Sequence, residues 1–134
     1  AAGVRVALEN GGTHESWVPR AQVFADYSSD FIGLCYDCGH GNMGGDGLGQ
    51  LETYKDRLLA IHLHDNDGTG DQHKLPFMGT VDWGRLADLI ARSSYAKWAN
   101  LEVSQSRSGF EDETAFLREA RTIAERINEA IAGA

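Results

Sequence analysis

Apolar and polar positions follow two periods along this chain, and a run of period two is followed by one of helical period four times over. Val4-Arg5-Val6-Ala7-Leu8 reads as a strand ending in Glu9 and Asn10, and a helix is expected to start at Pro19 after a glycine-containing loop. Residues 31–36 predict a second strand ending in Asp37, and residues 39–49, rich in glycine, read as a flexible loop of an active site. The helix after that loop places Leu51, Tyr54 and Leu58 on one face. A third strand covers residues 59–64, and Asp82-Trp83 opens a helix with Leu86, Leu89 and Ile90 inward. Residues 99–104 form the fourth strand, and the helix from about Asp112 carries Phe116, Ala120, Ile123, Ile127 and Ala130 at helical spacing. Alternation of this kind implies parallel strands joined by helical crossovers.

The run from Ile61 to His73 holds the densest chemistry. On a strand, His62 and His64 share one face while Ile61 and Leu63 share the other, so two imidazoles point where apolar packing does not. An acidic loop and His73 follow. The other strands also finish in ionisable groups at their carboxyl ends: Glu9, Asp37 and Glu102. Sites of α/β sheets and barrels form beyond those ends. Two glutamates, one aspartate and one imidazole make an oxygen-rich donor set with one nitrogen, suited to one divalent cation: manganese or magnesium first, zinc or cobalt next.

With 134 residues, 42% hydrophobic and 24% charged, the chain fits a single globular domain spanning residues 1–134. Twelve basic against twenty acidic residues give a net charge of -8, which disfavours a broad nucleic-acid footprint or an anionic membrane surface. No stretch has the length of a membrane span, and no signal peptide is recognisable. Cys35 and Cys38 form a CxxC pair, but on a strand and its edge positions three apart face opposite ways. Packed, reduced thiols and a cytoplasmic location are expected. Residues 39–49 lack the ending of a P-loop and the spacing of a dinucleotide fingerprint. Ser104, Ser106, Arg107 and Ser108 read as a solvated loop before the last helix, with a phosphorylated substrate as the other reading.

The ordered set Leu8-Glu9-Asn10, Asp37-Cys38-Gly39-His40, His62-Leu63-His64-Asp65, Gly79-Thr80-Val81-Asp82-Trp83 and Leu101-Glu102 resembles the second half of the xylose-isomerase-like TIM-barrel superfamily. That superfamily includes sugar isomerases, sugar 3-epimerases, inosose dehydratase and endonuclease IV. The resemblance implies that four βα units form the C-terminal half of a (β/α)8 barrel. The missing N-terminal half-barrel, or a second copy of the chain, would complete it. It implies a metal on Glu9, Asp37, His62 and Glu102, with Glu9 and Glu102 also catalytic. His40 and Glu15 resemble substrate-binding residues of the family, and His64 and His73 are expected to join them around a small sugar. Cys38 stands where the family often has threonine.

The activity so implied is metal-dependent isomerisation or epimerisation of a small sugar or related polyhydroxy carbonyl compound. Asp71 and His73 also resemble the Asp-x-His pair that holds an additional zinc in endonuclease IV, which keeps a phosphodiester hydrolase as an alternative. A half-barrel without catalysis is the third reading.

Overall fold

A computed structural model describes residues 3–134. Among them, β1 (Val6–Glu9), β2 (Ile32–Asp37) and β3 (Leu58–His62) form a parallel sheet in the order β1-β2-β3. Helices α1 (Trp17–Asp26), α2 (Cys38–Met43), α3 (Gly47–Tyr54), α4 (Trp83–Ala91) and α5 (Glu113–Ala132) accompany it, with short 3-10 turns at His14–Ser16 and Lys55–Arg57. The result is an open α/β layer, a partial barrel rather than a closed one.

The fourth strand-like run is reduced to one parallel bridge, Leu63 to Leu101. Its ladder consists of Leu63 N–H donating to the Asn100 carbonyl (2.9 Å) and Glu102 N–H donating to the Leu63 carbonyl (3.0 Å). Side chains take over where further rungs would stand: Asn100 Nδ2 donates to the Ile61 carbonyl (3.1 Å) and Ala99 N–H donates to Asn128 Oδ1 of α5 (3.0 Å). The chain direction and the placement of Glu102 beside β3 follow the expected plan, but a full strand over residues 99–104 does not form.

Three other expectations are corrected. Helix α1 begins at Trp17, two residues before Pro19; the first-turn N–H groups of a helix need no internal partner, so proline fits there as well. Residues 39–49 are largely helical. Asp37 caps α2 by accepting from His40 N–H (2.7 Å), and Asp46 caps α3 by accepting from Gly49 N–H (3.1 Å). Their glycines serve close packing: a Cβ on Gly47 would run into the backbone of Gly41. Leu58 opens β3 rather than extending the preceding helical face, and a bulge leaves Leu59 unpaired between Leu58 and Ala60.

Outward-facing Leu34, Tyr36, Ile61 and Leu63 form the core with Leu51 of α3, Leu86, Leu89 and Ile90 of α4, and Phe116, Ile123 and Ile127 of α5. This layer fixes the sheet from behind. The opposite face carries the small residues Ala7, Gly33, Cys35 and Ala60, and at its carboxyl end the candidate ligands.

Candidate metal centre

Parallel register brings the strand ends together: Glu9 stands across from Cys35, and Asp37 across from His62. His62 Nδ1 lies 2.9 Å from Glu102 Oε2, 3.4 Å from Glu9 Oε2 and 3.8 Å from Asp37 Oδ2. That nitrogen is buried and has no aligned hydrogen bond, although three carboxylates surround it. Oxygens and a ring nitrogen converging on one point, without satisfying one another, are the donor arrangement a divalent cation requires. The residues present therefore fit such an ion.

The supporting contacts explain the geometry. Asn10 clamps the end of β2: its Nδ2 donates to the Asp37 carbonyl (2.9 Å) and its Oδ1 accepts from Asp37 N–H (2.8 Å). His64 Nε2 sits 3.0 and 3.3 Å from the two carboxylate oxygens of Asp37. Burial is the largest influence on the Asp37 carboxyl and pushes its pKa up. The His64 hydrogen bond, the His40 N–H and the charges of both histidines outweigh it, so the net direction is down and the carboxylate stays ionised.

His62 and His64 both reach Asp37, as strand alternation predicts, but their surroundings differ. His62 is part-exposed, whereas His64 is 0% exposed, stacked on His73 with ring centroids 4.1 Å apart. Gly39 makes room for it, since a Cβ there would overlap the His64 ring. His64 thus stands behind Asp37 with no exposed surface, its Nε2 also 3.8 Å from Asp71 Oδ1.

His40 Nδ1–H donates to the Asn10 carbonyl (2.9 Å), which leaves Nε2 facing Asp71 Oδ2 at 3.6 Å. In the same way His73 Nδ1–H donates to the Glu102 carbonyl (2.9 Å), with Nε2 2.9 Å from Asp71 Oδ2. Burial, the largest influence, lowers the His73 pKa, but the Glu102 carbonyl and the Asp71 carboxylate together raise it above the ordinary value. Asp71, His73, Glu102, Val103, Ser104 and Arg107 line an open cleft of about 620 Å³. Arg107 pins its rim by donating to the Asp71 carbonyl (2.7 Å).

Glu15 lies apart from this group, in an exposed turn where its own backbone N–H, Thr13 and His14 act on its carboxylate and lower its pKa. Both cysteines are free thiols, and both are buried. Cys38 donates to the His64 carbonyl (3.1 Å), while Cys35 Sγ lies 3.7 Å from His62 Nε2. Burial and then the charges of Glu9, Asp37 and Glu102 push the Cys35 thiol up to about 12. Sequence reading passed over Cys35 and Asn10 as site components. For Cys35 the signal was present, because it precedes Asp37 by two and so shares its face.

Residues 1–120 match the family described as Xylose isomerase-like TIM barrel. The chain belongs to that family. Among members and relatives, the chain is 42% identical over 115 residues to the uncharacterized protein y4fM of Sinorhizobium fredii, covering 85% of this chain and 37% of that protein. It is 22% identical over 138 residues to the uncharacterized protein MJ1311 of Methanocaldococcus jannaschii, covering 95% of this chain and 46% of that one. The chain thus spans less than half the length of these curated relatives. Two solved structures share the fold: a D-tagatose 3-epimerase-like protein (TM-score 0.60, 20% identity, 92% of this chain and 49% of that one) and a xylose isomerase domain protein from Alicyclobacillus acidocaldarius (TM-score 0.69, 19% identity, 97% and 51%). At such identities the likeness speaks for the fold alone.

Proposed function

We propose that the chain is the C-terminal half of a (β/α)8 barrel and carries the metal-binding half of a sugar isomerase or epimerase. The observation that carries this reading is the convergence of Glu9, Asp37, His62 and Glu102 around His62 Nδ1. These four residues would hold one divalent cation, manganese or magnesium by donor type. When bound, the cation supplies positive charge that offsets negative charge developing on the oxygens of a polyhydroxy ketone or aldehyde.

The two glutamates differ from Asp37 in access. Glu9 and Glu102 keep 40% and 46% of their side chains exposed, so they can meet a substrate, whereas Asp37 at 1% can only anchor. In this reading one glutamate removes the proton from the carbon beside the carbonyl and the other returns a proton on the opposite face. His40 offers Nε2 to orient a hydroxyl, its Nδ1 being committed to Asn10. His73 lines the cleft that would receive the rest of the sugar. The strand edges left open here call for the remaining barrel half, supplied by the longer protein or by a second copy.

A hydrolase of the endonuclease IV type is favoured by one specific feature. His40 and His73 both turn Nε2 toward Asp71, and the ligand atoms of His64, Asp71 and His73 lie within 4.8 Å of one another, which supports room for further metal. The experiment uses full-length protein with manganese or magnesium and a panel of ketoses, following exchange of the substrate's carbon-bound hydrogen with deuterated solvent. One metal per chain with exchange lost in both Glu9→Gln and Glu102→Gln supports the isomerase. Conversion that survives both substitutions rejects the assigned proton transfer. Two or three metals with cleavage of abasic DNA, and no sugar turnover, moves the reading to the hydrolase.

A further inference from the structure

Each imidazole on the rim of the centre is aimed by its other nitrogen. His40 and His73 spend Nδ1–H on the backbone carbonyls of Asn10 and Glu102 and so present Nε2. His62 is reversed. Its Nδ1 faces Glu9, Asp37 and Glu102, and its Nε2 points down to a sulfur, Cys35 Sγ at 3.7 Å.

Cys35 occupies the floor of the site. It lies across from Glu9 on one side and Ala60 on the other, two residues before Asp37 on the same face, and it is buried. No backbone carbonyl or carboxylate is hydrogen-bonded to His62 Nε2 among the described residues; the thiol is the polar group in reach. An imidazole that binds a cation through one nitrogen must carry its proton on the other, and a hydrogen-bond acceptor there sets both the tautomer and the ring angle. Sulfur is a weak acceptor, but Cys35 is buried, and on that inner side of the ring a weak acceptor outweighs none.

We infer that Cys35 is a positioning residue: it receives the Nε2–H of His62 and so makes Nδ1 the nitrogen offered to the cation. This rests on the reading of Glu9, Asp37, His62 and Glu102 as metal ligands. It removes Cys35 from the residues that merely pack, and it gives the sulfur a place behind His62 rather than on the cation, although Cys35 Sγ lies within 4.8 Å of ligand atoms of Glu9 and His62.

The test titrates full-length wild type, Cys35→Ala, Cys35→Val and Cys35→Ser with Co(II) by calorimetry and absorption, and records the ring nitrogens of His62 by NMR in the zinc-loaded protein. Valine fills the volume without an acceptor, so it separates packing from hydrogen bonding; serine keeps an acceptor. Expected are a loss of about tenfold in affinity for alanine and valine alike, recovery of most of it by serine, and a protonated Nε2 of His62 in the wild type that exchanges faster with solvent in the valine variant. Equal affinity in all four proteins overturns the inference while leaving the metal reading in place. A thiolate-to-cobalt charge-transfer band in the wild type, absent from the variants, overturns it as well by making Cys35 a ligand. A wild type that binds no metal sinks the metal reading, and this inference with it.

Discussion

Asp37 and Glu102 are both carboxylates at the carboxyl ends of extended segments that flank β3 on its two sides, yet they are held in opposite ways. Asp37 closes a strand paired on both sides, is clamped by Asn10, backed by His64, and caps a helix with its own side chain. Glu102 follows a single bridge, and nearly half of its side chain is exposed. The centre is therefore built with one rigid wall and one yielding wall. In the proposed function a rigid wall would keep ligand geometry without reorganisation, while a yielding one would admit a substrate and let a carboxylate move between cation and proton.

Removing the rigid wall has the largest effect. Asp37→Ala strips the fully buried His64 ring of its carboxylate hydrogen-bond partner, and leaving a buried polar group unsatisfied costs about 1–3 kcal/mol, more where the lost partner was charged. Chemical denaturation of the full-length protein is expected to show that loss, and calorimetry no metal binding; unchanged stability would mean that the two walls do not differ. Gly39→Ala presses on the same wall from behind. Its Cβ must displace the His64 ring, at about 1–3 kcal/mol by analogy with overpacked cores, and metal affinity should fall although no ligand has been altered.

Acid separates the walls without mutation. A carboxyl whose folded pKa lies below its unfolded one stabilises the fold above the unfolded value and ceases to do so as pH falls through the folded value. Asp37 is of this kind, so the metal-free protein should lose stability on acidification below the ordinary carboxylate range, and Asp37→Asn should flatten that part of the curve. A slope that persists in Asp37→Asn would assign the acid response to other carboxylates. Glu102→Gln is the smallest structural perturbation. Its exposed, isosteric side chain should change unfolding stability by no more than about 0.5 kcal/mol, yet weaken metal binding and abolish solvent exchange into substrate. A large drop in stability would show that this wall is rigid too.

Much of the outer framework was legible in the residues. Leu86, Leu89 and Ile90 are buried on α4, Phe116, Ile123 and Ile127 on α5, and Asp82 and Asp112 cap those helices, because helical spacing and capping chemistry are local properties. Residues 39–49 are not a loop because the capping aspartates, Asp37 before the run and Asp46 within it, start two helices that outweigh glycine's low helix propensity. There Gly47 is demanded by close contact with Gly41 across two short helices and Gly39 by the His64 ring, tertiary causes invisible in a single segment. The run at 99–104 has the composition of a strand, but it lies at the edge of the described sheet, and Asn100 and Asn128 satisfy by side chain what a further strand would satisfy by ladder.

What the chain determines by itself is the alternation of strands and helices, the parallel order that alternation imposes, and the presence of a ligand-type residue at each strand end. Those follow from periods of two and 3.6 and from the handed crossovers they require. The tertiary structure alone decided that four such residues meet around one nitrogen of His62, that His64 turns inward while His62 stays open, and that a cysteine lies beneath it. Residues far apart in sequence come within 4 Å only through the register between strands. That register, with its bulge at Leu59, is set by how the whole sheet packs against its helices.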